Sequence, residues 1–126
     1  MPWTELVTLA ALLEYFVFSI LVGKARVAHG VEAPAIIGHA GFERAYRVQM
    51  NTLELLVLFL PVLWLAGRYW SAACVASIGV VFLLGRIVYA RAYVRDPARR
   101  GMGFGLSMLP IVVLFGMSVA GALGWS

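Results

Sequence analysis

Arg47, Asn51 and Glu54 are spaced i, i+4 and i+7, so on a helix a guanidinium, an amide and a carboxylate share one face. Arg44 and Gln49 run beside them and Glu43 extends the stripe toward water, yet the segment that follows is almost wholly apolar. Arg86, Tyr89 and Tyr93, at i, i+3 and i+7, repeat the device with one guanidinium and two phenols, and Arg100 follows a short way on. Polar groups at the depth of an apolar helix are unfavourable in lipid and usually serve a function.

The set offers surplus positive charge, guanidinium forks for carboxylates, a carboxylate for an ammonium, and amide and phenol groups for peptide bonds. A small anionic peptide matches that inventory. Glutathione is such a peptide, with two carboxylates, one ammonium, two amides and a thiol whose ionisation a nearby guanidinium favours. Because the thiolate is the nucleophile, stabilising it is the catalytic act. A purely structural alternative is that Glu14, Glu54 and Arg86 neutralise one another between helices. That pairing leaves the two tyrosines, Asn51, Gln49 and the remaining arginines without a purpose.

The elements carrying these stripes must be membrane helices. Of the 126 residues, 63% are apolar and 13% charged, which takes the chain out of the soluble globular class. Mean hydropathy is +0.92. A crossing needs about 20 helical residues, and helices are expected near 3–23, 46–67, 70–93 and 98–124 of a single all-α, four-helix integral membrane domain spanning 1–126. Gly30, Pro34, Gly38 and Gly41 mark a polar loop from Lys24 to Phe42, and Gly67–Trp70 a tight hairpin. Asp96 and Pro97 suit the N-cap and first position of the last helix. Pro61 and Pro110 fall inside helices 2 and 4, where each should bend its helix.

Nine of the ten basic residues collect at one end of this arrangement, Arg68 being the exception. By the positive-inside rule that end is cytoplasmic and both termini lie outside the cytoplasm. Trp3, Trp64, Tyr69, Trp70 and Trp125 fall at the opposite boundary, where amphipathic rings anchor. The net charge of +4 then reflects orientation and headgroup contact, and no nucleic-acid partner is expected. The single Cys74 excludes an internal disulfide and reads as small filler, and no metal is expected. Met1 to Tyr15 lacks the basic lead of a cleavable signal peptide, so the first apolar stretch is expected to be retained.

Two segments resemble a known family. Phe42 to Glu54 is similar to the signature E-R-x-x-R-x-x-x-N-x-x-E of the MAPEG proteins, membrane-associated proteins in eicosanoid and glutathione metabolism. Arg86 to Tyr93, followed by Arg100, is similar to the R-x-x-Y-x-x-x-Y segment of microsomal glutathione transferases and leukotriene C4 synthase. With the four-span layout, the resemblance covers nearly the whole chain. It implies a homotrimer with glutathione between adjacent subunits and a lipophilic electrophile arriving from the bilayer. Arg47, Asn51, Glu54, Tyr89 and Tyr93 would hold the peptide, Arg26 and Gln49 would reach it from the neighbouring subunit, and Arg100 would face the thiol. Glu14 and Arg86 remain auxiliary polar residues, and Arg99 is a rival for Arg100, one residue away.

Leu55 and Val27 replace a tyrosine and an arginine found in the family members that make leukotriene C4, which argues against that specific synthesis. The expected reaction is conjugation of glutathione to lipophilic electrophiles, with glutathione-dependent reduction of lipid hydroperoxides as an extension. Two other readings stand beside it: a non-catalytic lipid-binding scaffold on the same fold, and a small four-helix proton-coupled drug exporter that uses Glu14. Small residues at Ala72, Ala76, Gly101 and Gly105 permit close helix contact, but their spacing does not count subunits.

Overall fold

A computed structural model describes all 126 residues as four long helices and no strand. They are α1 (Trp3–His29), α2 (Ala40–Tyr69), α3 (Ala72–Arg95) and α4 (Gly101–Ala122), with a 3-10 turn at Pro97–Arg99. Each is long and apolar enough to cross a membrane. The chain is an all-α multi-pass membrane bundle.

Two boundaries differ from the hydropathy reading. α1 runs on past Lys24 to His29, because leaving the apolar zone does not end a helix whose backbone bonds are still being made. It stops where Gly30 takes the left-handed conformation at φ 66° and Val31 N–H returns to the Arg26 carbonyl at 3.0 Å. α2 starts at Ala40, six residues before its hydropathy begins, because His39 Nδ1 accepts from Gly41 N–H at 2.9 Å and Glu43 accepts from Gly38 N–H at 3.1 Å. The polar loop is therefore shorter than its composition suggests. Asp96 caps the 3-10 turn through Ala98 N–H at 3.1 Å rather than α4 itself.

α2 and α3 each pack against all three other helices, and α1 and α4 occupy opposite corners. At the centre Phe59 and Phe82 stack with centroids 3.9 Å apart, among buried Leu55, Leu63, Val75 and Leu114. α3 and α4 approach closely because Gly85 and Gly103 present no side chain where they cross. A Cβ on Gly85 would lie 2.7 Å from Ser107 N, and one on Gly103 would meet the Tyr89 backbone. Both helices containing an internal proline, Pro61 in α2 and Pro110 in α4, run through it.

Candidate functional site

Arg86 is the largest fully buried side chain in the protein, at 0% exposure. A guanidinium cannot shed its charge, so its donors must find acceptors. Nε donates to Ser107 Oγ at 2.8 Å, and Nη1 donates to Asn51 Oδ1 at 2.7 Å and Thr52 Oγ1 at 3.2 Å. The two hydroxyls spend their own protons within their helices, Thr52 on the Val48 carbonyl at 2.8 Å and Ser107 on the Gly103 carbonyl at 2.7 Å. Their lone pairs are thereby turned to Arg86. One arginine from α3 ties α2 to α4 at mid-depth.

No direct ion pair joins Glu14, Glu54 and Arg86, although Glu14 lies near enough to Arg86 to act on it electrostatically. Among the carboxylates only Asp96 forms an ion pair, an exposed one with Arg99 at 3.8 Å. Arg86 Nη2 and Glu14 Oε1 are buried without hydrogen-bond partners, and Glu54 is exposed on α2. Neutral acceptors, not carboxylates, hold the buried cation. Thr52 and Ser107 were missed because hydroxyls in apolar helices ordinarily bond their own i−4 carbonyl, as these also do. The signal that could have found them is the arginine's demand for acceptors from every helix it faces.

The second ring of the site is built on Tyr89, buried at 3% exposure. The Arg86 guanidinium lies 4.4 Å from its ring centroid, and Tyr93, one turn on, stacks at 5.5 Å. Arg47 and Arg100 both lie near enough to act electrostatically on the Tyr89 phenol. Residues from α2, α3 and the start of α4 thus converge at the basic end of the bundle. Arg47, Glu54 and Arg100 are exposed there, while Asn51 and Tyr93 are half-buried. Asn51 gives its oxygen to Arg86, so its amide N–H groups remain to donate.

Arg99 and Arg100 diverge. Arg99 turns to Asp96, while Arg100 Nη1 folds back on the Pro97 carbonyl at 2.8 Å. Arg26 and Gln49 do not join the Tyr89 cluster within one chain. Arg26 Nη1 donates to the Ala35 carbonyl at 2.7 Å, with its guanidinium 4.6 Å from the Phe42 ring, and so closes the α1–α2 loop. Gln49 faces α1, donating to Ser19 Oγ at 2.9 Å. Arg44 reaches the Val94 and Arg95 carbonyls at 3.2 and 3.3 Å, satisfying the end of α3.

Four membrane-length helices with a polar, arginine-rich cluster at one end define a small polytopic membrane protein. Its sequence places it more narrowly. The family model described as MAPEG family matches residues 4–120, and the chain belongs to that family. It is 46% identical to an uncharacterized protein of Synechocystis over 96% of this chain and 85% of that one. It is 36% identical to human microsomal glutathione S-transferase 2 over 85% and 71% of the two chains, and 37% identical to guinea-pig leukotriene C4 synthase over 93% and 78%.

Proposed function

We propose that this protein is a membrane-bound glutathione transferase that joins the glutathione thiolate to lipophilic electrophiles. The observation that carries the reading is the packing of Arg86 and Tyr93 against Tyr89, within electrostatic reach of Arg47 and Arg100 and beside an Asn51 amide already oriented by Arg86. Arg47 and Asn51 bind the peptide's carboxylates and amide carbonyls, Glu54 takes its ammonium, and Tyr89 and Tyr93 line the seat of the cysteine.

Arg100 faces the sulfur. Its guanidinium stabilises the thiolate as the S–H proton leaves to water. The sulfur then attacks the electrophilic carbon; a C–S bond forms and the halide or other leaving group departs with its electron pair. Holding sulfur and carbon together at the membrane boundary makes the step effectively unimolecular.

The chain acts as a homotrimer in this reading. Arg47 and Glu54 are exposed at helix α2 and lack charged partners in their own subunit, while Gln49 and Arg26 sit on the α1-facing side. A neighbour's α1–α2 side would bring Arg26 and Gln49 to the ligand on the first subunit's Arg47–Glu54 face. The basic mouth faces the cytoplasm and the termini lie across the membrane.

Conjugation of glutathione to a chromogenic aryl halide by the purified protein tests the assignment. Arg100→Ala should lower kcat/KM by about 100-fold or more, the usual effect of removing one donor from a developing anion. Arg99→Ala should change it little. Absence of conjugation above background in the folded wild type favours the scaffold reading and overturns this one. A monomeric mass with full activity overturns the trimer.

A further inference from the structure

Between α1 and α3, lined by no residue of α2 or α4, runs a largely apolar furrow that the thiol site does not use. Near the basic end it opens into a cavity of about 540 Å³ whose walls include Val17, Leu21, Ile87, Ala90 and Val94. It continues past Ala10, Glu14 and Leu83 through a second hollow of about 420 Å³, whose remaining walls are apolar. From Arg95 back to Leu83 the furrow follows twelve residues of α3, about 18 Å of helix, and a third hollow of about 510 Å³ carries it on from Ala10 and Leu83 to Trp3 and Ala73, so it is longer than the roughly 15 Å of one leaflet's hydrocarbon.

Two cations stand at its mouth. Arg91 and Arg95, one turn apart on α3, both line the cavity and both are exposed. Neither forms an ion pair, and the α3 carboxyl end they flank is already satisfied by Arg44. They are therefore not needed to finish the helix. No acidic residue lines this mouth cavity.

The geometry points to a binding site for one anionic phospholipid: its phosphate rests on Arg91 and Arg95 and one acyl chain lies in the α1–α3 furrow. Guanidinium forks suit phosphate oxygens, and each basic residue near the surface is worth about 1 kcal/mol toward an anionic headgroup. A zwitterionic headgroup brings its own cation to a mouth that already holds two. The apolar walls supply the second half of the match, since the furrow is long enough to hold an acyl chain rooted at the arginines.

Native mass spectrometry of the purified protein, with phosphatidylglycerol and phosphatidylcholine of identical acyl chains added in equal amounts, tests the site. Wild type should retain phosphatidylglycerol about fivefold or more over phosphatidylcholine. Arg91→Gln with Arg95→Gln should bring the ratio to near parity, and Arg91→Lys with Arg95→Lys should keep most of it. Ala90→Trp, which fills the furrow, should lower phosphatidylglycerol retention about threefold with an unchanged oligomeric mass. Glutathione conjugation by the arginine variants checks that the bundle is intact, since neither arginine belongs to the thiol site. The inference is overturned by equal retention of the two lipids by wild type, by a preference that survives the double glutamine variant, or by full retention in Ala90→Trp. A changed oligomeric mass in Ala90→Trp would show that the furrow receives a second copy of this chain instead.

Discussion

Gly85→Ala should loosen the protein and the thiol site together. The added methyl would lie 2.7 Å from Ser107 N, 2.8 Å from the Leu106 carbonyl carbon and 2.9 Å from Ser107 Oγ, all closer than real Cβ contacts come. Two of those atoms are backbone and cannot swing aside, so α4 must move off α3. Overpacking of this kind costs about 1–3 kcal/mol. Moving Ser107 also stretches the 2.8 Å bond from Arg86 Nε, a charge-assisted bond worth about 1.5–3 kcal/mol. Against this, alanine gains about 1 kcal/mol over glycine in helix propensity. The balance is a loss of about 1.5–5 kcal/mol, or roughly 4–20 °C in Tm for a chain of this size. Gly105→Ala is the matched control, because nothing lies within 4 Å of its added methyl, and it should hold or slightly raise Tm. Thermal unfolding in one detergent compares the two, and glutathione KM reports whether Asn51 has been released with Arg86. If Gly85→Ala unfolds at the same temperature as Gly105→Ala with unchanged KM, the close α3–α4 approach does not organise the site.

Arg86→Lys keeps the charge but loses the fork that spans Ser107, Asn51 and Thr52, and glutathione KM should rise about tenfold, measured by initial rates over a range of thiol concentration. Gly103→Ala, whose methyl would run into the Tyr89 backbone, should reduce kcat about tenfold or more by displacing Tyr89 from Arg100, again with Gly105→Ala as control. Trp64→Phe removes the indole donor to Thr8 Oγ1 at 2.9 Å and should cost about 0.5–1.5 kcal/mol in unfolding without altering glutathione KM. Conjugation by wild type should weaken between low and high ionic strength mainly through KM, because Arg47 and Arg100 are solvent-exposed and their attraction for carboxylates is screened.

Much of this protein is legible in the chain itself. Four apolar runs dictate four membrane helices, since no other open element satisfies its backbone in lipid. Helical periodicity alone puts Arg47, Asn51 and Glu54 on one face and Arg86, Tyr89 and Tyr93 on another, because those relations lie within one helix and need only a 3.6-residue turn. Relations between helices depend on depth and rotation, which local spacing does not contain. Only the packed bundle decides that Arg86 answers to Thr52, Asn51 and Ser107 while Glu14 and Glu54 form no direct ion pair with it. Likewise it turns Arg99 toward Asp96, leaves Arg100 near Tyr89, and carries α1 on to His29. The physical reason is that a buried guanidinium takes whichever acceptors lie within about 3 Å, and the close crossing of α3 and α4 at two glycines sets which those are.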